Sequence, residues 1–171
     1  DEDCLISENL IPTRLMRSTT GSVFELGQIG EDLIRSITES ITKFGGVALV
    51  IDYGHLASGV GDTLQGVKDH NYFDILGEPG RVDLTAHVDF ECLAKKANAT
   101  GGLVWGPVTQ REFLKRLGIE TRAYQLKDVA STRQKSEVLT SLNRLIGVDE
   151  MGDLFKVMAI THLDRISIEG F

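Results

Sequence analysis

The feature that most constrains the fold of this 171-residue chain is a helical pattern that leads directly into an apolar strand. Apolar residues recur at helical spacing over 29–44, and Gly45-Gly46 then supply the usual end signal of a helix. The next segment, Val47–Ile51, is apolar at every position, which is typical of a strand covered on both faces. The sequence therefore predicts a helix over about 29–44 and a central strand over about 47–51, parallel to at least one neighbour.

The remaining periodic segments also alternate between helices and strands. Helical spacing predicts helices over about 89–99, with Asp89 as the N-terminal cap, and over about 132–146. Runs of apolar residues predict a short strand at 103–105 and a late strand at 154–160. This order predicts an α/β domain over 23–171, preceded by an arm or loop over 1–22 that has no sustained period.

A long polar segment separates the predicted central strand from the next helix. Residues 54–87 show little periodicity and many turn formers, and a stretch of this kind is usually functional. In the alternative interpretation it contains a short helix, over about 64–70. Because sites in parallel sheets lie at the carboxyl ends of strands, we predict that this loop brings Asp62 and Gln65 toward Asp52.

Composition and charge exclude several classes of protein. The chain has 25 acidic and 18 basic residues, a formal net charge of −7, which argues against binding of duplex nucleic acid. The longest apolar run is the five residues Val47–Ile51, whereas a membrane-spanning helix needs about 20, so no membrane span is expected. Cys4 and Cys92 lie far apart without a metal-binding spacing, which predicts neither a zinc site nor a disulfide framework and favours a reducing compartment.

Two local patterns point to a cofactor loop or a metal site, and both are weak. Residues 25–30 resemble a glycine-rich turn before a helix, but Ile29 and Glu31 stand where close backbone approach needs glycine, which favours an ordinary helix start. A metal site with oxygen and nitrogen ligands is a second option, yet its candidate ligands lack a fixed spacing. These candidates are Asp52, His55, Asp62, Asp83, His87 and Asp89. No cofactor-binding or metal-binding residue is therefore assigned.

Five segments in one order carry a resemblance to a known family. They are GGVALVIDYGH at 45–55, GDTLQ at 61–65, DLTAHVDF at 83–90, GPVTQ at 106–110 and MGDLFKV at 151–157. With them the chain resembles the MidA family of S-adenosylmethionine-dependent methyltransferases over about residues 23–160. The mitochondrial members of that family are arginine methyltransferases required for the assembly of respiratory complex I.

The resemblance implies a fold and a cofactor. The implied fold is a partial Rossmann-like class I methyltransferase sheet, made of the C-terminal strands with flanking helices. The implied cofactor is S-adenosyl-L-methionine, bound by a full-length family member. This chain corresponds to the C-terminal half of the family, and the family's cofactor loop, Glu-x-Gly-Pro-Gly-x-Gly, has no counterpart in it. We therefore expect that the chain by itself neither binds the cofactor in the family's manner nor catalyses methyl transfer.

The matched residues supply the chemical groups that an arginine substrate needs. A guanidinium stays protonated and offers five planar donors, so carboxylates, a side-chain amide and an aromatic face suit it. On this basis Asp52 and His87 are the candidate catalytic residues, because a carboxylate or an imidazole can orient the guanidinium and accept its proton. The candidate substrate-binding residues are Tyr53, Asp62, Gln65 and Asp89. In the alternative interpretation, half of these residues cap and brace the loop.

The function implied by the resemblance is the C-terminal portion of a protein arginine N-methyltransferase that supplies substrate-side loops. Its partner would be a protein substrate, with a subunit of respiratory complex I as one option, and a homodimer is left open. The implied location is the bacterial cytoplasm or the mitochondrial matrix. The alternative comes from a different class: a non-catalytic protein-binding module, or a truncated gene product that lacks the cofactor-binding half.

Overall fold

The computed structural model describes residues 10–69, 71–162 and 167–171, and it combines helices and strands. The helices are α1 (Gln28–Phe44), α2 (Phe90–Ala99), α3 (Gln110–Arg116), α4 (Ile119–Val129), α5 (Thr132–Ile146) and α6 (Met151–Leu154). The strands are β1 (Val47–His55), β2 (Gln65–Lys68), β3 (Asn71–Phe73), β4 (Asp83–Thr85), β5 (Val88–Asp89), β6 (Leu103–Thr109) and β7 (Phe155–Thr161). The predicted helices and the two later strands are confirmed, with β6 longer than expected.

The main sheet has the strand order β5-β1-β7-β6. β1 runs parallel to β5 and antiparallel to β7, and β7 is also antiparallel to β6. A second, small antiparallel sheet has the order β3-β2-β4. The α/β class predicted from the sequence is thus confirmed, with a mixed rather than purely parallel main sheet.

The core lies between the main sheet and the helices α1 and α2. Ile34 and Ile41 of α1 are two helical turns apart, so both face the sheet. Phe90 and Leu93 of α2 pack on the same face, and both helices meet Met158 of β7. Full burial of side chains of this size contributes about 1.5–3 kcal/mol each, which holds β1 and β7 under the two helices. Across the described ranges, no helix combines the length and apolarity that crossing a membrane requires.

The strand β1 lies inside the strand order and has one parallel neighbour, but the prediction that residues 47–51 themselves are central and paired in parallel is wrong. The parallel pairing, however, involves Gly54 and His55 alone, opposite Val88 and Asp89. Over residues 47–53, β1 pairs with β7 on one side, and no described residue pairs with it on the other. The predicted segment itself therefore has a free edge, although the strand as a whole is flanked on both sides.

The prediction that the apolar run of β1 is covered on both faces is wrong. Val47, Leu49 and Ile51 are 48%, 51% and 47% exposed, whereas Ala48 and Val50 pack against the core. Successive strand residues point to opposite faces, and α1 and α2 cover one of them. An apolar run indicates burial only where both faces have neighbours, and the described residues leave the second face of β1 half exposed.

The segment 54–87 forms a small sheet rather than a plain loop. The short helix considered over 64–70 is wrong, because residues 65–68 form β2, which pairs with β3 and β4, while residue 70 lies outside the described residues. Gly66 permits this pairing, since a Cβ atom there would lie 2.6 Å from the carbonyl oxygen of Phe73. The segment therefore satisfies much of its own backbone hydrogen bonding while it extends from the carboxyl end of β1.

The predicted arm is described from residue 10 onward and contains the short 3-10 helix Thr13–Leu15, while residues 1–9 lie outside the described residues. Arg14 connects the arm to the domain by donating hydrogen bonds to the carboxylate of Glu91 and to the carbonyl oxygen of Ser58. Hydrogen bonds from Lys95, from Arg14 and from the Ser58 amide lower the pKa of Glu91 to about 2. The Glu91 carboxylate thus stays ionised and joins the arm, the loop after β1 and the start of α2.

Candidate functional site

A cavity of about 410 Å³ lies at the carboxyl end of β1, bounded by α1, β1, β5, the start of α2 and the segment 24–27. We name it the β1-end cavity. Most of its wall is apolar, and its ionisable side chains are Glu25, Glu31, Asp52, His87, Asp89 and Cys92. Three of the six predicted site residues, namely Asp52, His87 and Asp89, are therefore brought together in its wall. Within the described part of the chain, no group of three or more His, Cys, Asp or Glu side chains is arranged to hold a metal ion.

A larger groove, of about 510 Å³, lies between α4 and α5. Its wall is mainly apolar, with Leu126 and Val138 as typical members and Arg122 and Glu137 as its charged residues. None of the sequence-predicted site residues lines this groove, and it holds no histidine. Among the described residues, the groove has a single carboxylate, Glu137, whereas the β1-end cavity combines four carboxylates with a histidine, so the β1-end cavity is the better candidate for a reaction site.

Asp52 lies in the carboxyl-terminal half of β1, but inside the strand rather than at its end as predicted, because β1 continues to His55. One of its carboxylate oxygens accepts a hydrogen bond from the amide of Tyr53 at 2.8 Å. The cross-strand partner of Asp52 is Lys156, but the ammonium of Lys156 donates instead to the carbonyl oxygens of Asp153 and Leu154, at 2.6 and 3.0 Å. The second carboxylate oxygen of Asp52 has no hydrogen-bond partner among the described residues. Asp52 is therefore a half-buried acceptor that can receive a cationic ligand.

His87 lies directly before β5 and contacts two ring side chains of β1. Its ring is 5.1 Å from the ring of His55 and 5.8 Å from that of Tyr53, measured between centroids. Burial lowers the pKa of His87, and the charges of His55 and Lys156 lower it further, while Glu25 acts in the opposite direction. The neutral imidazole is thus favoured near pH 7, and this is the form that can accept a proton.

Tyr53 lies outside the wall of the β1-end cavity. Because side chains alternate along a strand, Asp52 and Tyr53 point to opposite faces of β1. The Tyr53 ring packs edge-to-face on Phe155, with ring centroids 5.7 Å apart, and contacts His87 on its other side. Tyr53 therefore does not line the cavity itself but contacts His87, which does.

Asp89 caps the helix α2. Its carboxylate accepts hydrogen bonds from the amide of Cys92 at 3.0 Å and from the thiol of Cys92 at 3.3 Å. Burial is the main factor that raises the pKa of the Cys92 thiol, so the thiol stays protonated near pH 7. Asp89 faces the cavity, but both of its carboxylate oxygens are engaged by the start of α2, which corresponds to the bracing role considered in the sequence analysis.

The other two predicted residues, Asp62 and Gln65, lie outside the wall of the cavity. Asp62 is exposed in the loop after β1, and Gln65 is the first residue of β2, paired with Thr85. They flank Thr63 and Leu64, the two residues through which this loop is attached to the segment before α1. The structure therefore places them beside the cavity and not within it.

The attachment of this loop depends on Glu25, a residue that the sequence analysis did not select. Its carboxylate accepts hydrogen bonds from the amide of Thr63 at 2.9 Å, the hydroxyl of Thr63 at 2.5 Å and the amide of Leu64 at 2.9 Å. Burial alone would raise the pKa of Glu25, but these hydrogen bonds outweigh it and the pKa is lowered. In the sequence, Glu25 is a single acidic residue between two apolar ones, and this pattern gives no indication of its hydrogen-bond partners.

Replacing Gly54 with alanine is expected to separate β5 from β1. A Cβ atom at this position would lie 2.1 Å from the carbonyl oxygen of Val88, and a backbone atom cannot move aside as a flexible side chain does. We expect a loss of about 1–3 kcal/mol or more in the free energy of unfolding, measured by urea titration. Gly59→Ala is the matched control, because a Cβ atom there meets nothing within 4 Å. Equal stability of the two variants would contradict the described β1–β5 pairing.

Comparison with known proteins adds sequence relatives. The chain matches, over residues 5–108, the model of a family described as "Putative S-adenosyl-L-methionine-dependent methyltransferase". Among similar curated proteins are the mitochondrial protein arginine methyltransferase NDUFAF7 homologues of Caenorhabditis elegans, 36% identical over 157 residues, and of Drosophila melanogaster, 34% identical over 165 residues. These matches cover 91% and 92% of this chain but 36% and 38% of the relatives, so the chain spans little more than a third of their length.

Solved structures support the same assignment. A protein from Burkholderia thailandensis, described as a "likely methyl transferase" and bound to S-adenosyl-homocysteine, has a TM-score of 0.74 and 26% identity. The match covers 82% of this chain and 38% of that protein. The shared fold confirms the methyltransferase type of α/β sheet that the sequence resemblance implied. Because the family model matches more than half of the chain, and the arginine methyltransferase relatives match most of it, the chain belongs to this family of S-adenosyl-L-methionine-dependent methyltransferases.

Proposed function

We propose that this chain is the C-terminal portion of a protein arginine N-methyltransferase and supplies the substrate side of its active site. The observation that carries the proposal is the β1-end cavity, in which Asp52 and His87 share a mostly apolar wall. An arginine side chain has the matching profile, since an aliphatic stem ends in a permanently charged guanidinium. The names of the curated relatives support this class of substrate.

Each proposed role follows from the position of the side chain. The carboxylate of Asp52 would hold and orient the guanidinium, because one of its oxygens is without a partner in the described residues. The neutral imidazole of His87 would take up the proton that the substrate nitrogen gives up on methylation. Apolar side chains of the wall, such as Phe24, Leu33 and Val50, would cover the aliphatic stem and exclude water.

The described residues do not fit the cofactor itself. S-adenosyl-L-methionine supplies a methyl group on a sulfonium centre, and its binding loop in the family is rich in glycine. The corresponding candidate here, segment 25–30, is otherwise occupied: Glu25 binds Thr63 and Leu64, and α1 already begins at Gln28. We therefore propose that residues outside this chain hold the cofactor, and no step is assigned to it here.

The intact gene product is expected to bind S-adenosyl-L-methionine, whereas the 171-residue chain alone is not. Isothermal titration calorimetry on both proteins measures this difference directly. An intact gene product that gives no binding heat and no protection against thermal unfolding by the cofactor would contradict the proposed function. The product, S-adenosyl-homocysteine, serves as the control ligand, since one solved relative binds it.

The proposed substrate is an arginine in another protein, and the relatives' mitochondrial names favour the mitochondrial matrix over the bacterial cytoplasm as its location. A subunit of respiratory complex I is the specific substrate that the family resemblance implies. A homodimer is compatible with this proposal. Methylation of a candidate peptide by the intact gene product, detected as a mass increase of about 14 Da, would identify the substrate.

A second candidate function is a non-catalytic protein-binding module. The observation that favours it is the half-exposed apolar face of β1, formed by Val47, Leu49 and Ile51. The two functions are separated by the gene sequence upstream of Asp1. An in-frame Glu-x-Gly-Pro-Gly-x-Gly segment would support the enzyme, and a start codon immediately before Asp1 would support the module or a truncated gene product.

A further inference from the structure

We propose that Glu25 is a positioning residue that holds the loop 61–64 and, through Thr63, the backbone of His87 at the β1-end cavity. The inference rests on the proposed function and adds to it a residue that acts without contacting the substrate's reacting atoms. It is based on a short network of hydrogen bonds between three segments that are far apart in the sequence.

Thr63 is the centre of this network. Its hydroxyl donates to the Glu25 carboxylate at 2.5 Å and accepts from the backbone amide of His87 at 2.9 Å. The amides of Thr63 and Leu64 also donate to Glu25, both at 2.9 Å. One carboxylate thus fixes the loop directly, and the Thr63 hydroxyl extends its effect to His87.

A second contact shows that the two segments lie side by side. The amide of Gly61 donates to the carbonyl oxygen of Val23 at 2.9 Å, two residues before Glu25. Hydrogen bonds therefore join the segment 23–25 to the loop 61–64 at both the first and the last residues of each. Loss of the Glu25 carboxylate would remove three of the hydrogen bonds and leave the Gly61–Val23 contact in place.

Glu25 also acts on His87 through its charge. The carboxylate raises the pKa of His87, while burial, His55 and Lys156 lower it, so Glu25 limits the net decrease. The other acidic groups in the cavity wall are Glu31, Asp52 and Asp89. Glu31 pairs with Lys96 at 3.2 Å and Asp89 caps α2, so their charges are partly compensated locally.

The test uses paired variants in the intact gene product. Thr63→Val removes the hydroxyl and keeps the volume, and it is expected to lower kcat by about 10- to 100-fold, the range that loss of precise orientation produces. Thr63→Ser keeps the hydroxyl and should remain within about threefold of the wild type in kcat. Glu25→Ala, which removes all three acceptor contacts, should resemble Thr63→Val, with unchanged cofactor affinity. Glu39→Gln, an exposed acid on α1, is the control and should behave as the wild type.

A spectroscopic readout separates positioning from loss of stability. Glu25→Gln should lower the pKa of His87, measured by NMR titration of the imidazole, whereas Thr63→Val should leave the charge intact and shift mainly the amide resonance of His87. Wild-type activity in Glu25→Ala, or an equal loss of activity in Thr63→Ser and Thr63→Val, would overturn the proposal. If the wild type binds no cofactor, the proposed function fails, and the amide resonance of His87 in Thr63→Val and Glu25→Ala still decides whether Glu25 positions His87.

Discussion

Replacing Asp52 with asparagine is expected to lower methyl transfer by the intact gene product on the order of 100-fold, the scale typical of losing one positioned charged group. Asparagine keeps the shape of the side chain and can still accept the Tyr53 amide, so the fold should be nearly unchanged. It removes the negative charge that would orient a guanidinium. The measurements are kcat/KM with an arginine peptide and the melting temperature of the same preparation.

The outcome distinguishes a site residue from a structural anchor. If Asp52 only braces the end of β1, the melting temperature falls while activity per folded molecule survives. That result would contradict the role proposed for Asp52. Asp128→Asn, at an exposed position near the end of α4, is the matched control and should change neither quantity.

The sequence was sufficient to predict the helices α1, α2 and α5, because these depend on local patterns. The helical stripe of α1 and its end at Gly45 come from neighbouring residues, as does the cap of α2 by Asp89. Asp52 follows directly after the apolar run, which places it in the carboxyl-terminal part of β1, although the strand continues to His55 because it pairs there with β5. These features need no knowledge of what packs against them.

The exposure of β1 depended on distant neighbours and could not be predicted in this way. An apolar run is the same in sequence whether one or both faces are covered, and here α1 and α2 cover one face. The free edge of residues 47–53 could not be predicted for the same reason, because strand pairing depends on segments that are distant in the sequence. Local sequence determines that β1 is a strand, and the rest of the protein determines its burial.

The candidate site shows the same division. Asp52 and His87 converge because β1 and β5 pair at their ends, and Gly54 permits that close approach. The contact between Glu25 and Thr63 joins residues 38 positions apart, and neither residue carries a local signal of the other. Asp62 was predicted as a substrate-binding residue because it belongs to the matched segment 61–65. It lies next to Thr63 in sequence but outside the cavity wall. A motif identifies the loop, whereas tertiary contacts determine which of its residues face the cavity.

Replacing Phe90 with alanine is expected to cost about 3–5 kcal/mol of the free energy of unfolding, the largest stability effect that we expect from a single side chain here. Phe90 is fully buried, begins α2 and belongs to the cluster that joins α1, α2 and β7. Truncation removes most of the ring's buried area and leaves a cavity under both helices. Urea unfolding of the variant, followed by circular dichroism, measures the loss as a lower midpoint with an unchanged slope.

The matched control is Phe44→Ala, the same change at the last residue of α1. Phe44 is 76% exposed, and its ring contacts the ammonium of Lys43 at 4.9 Å, a surface interaction worth about 0.5–1 kcal/mol. We therefore expect the control to lose less than about 1 kcal/mol. Similar losses in the two variants would mean that Phe90 is not buried between the helices and the sheet.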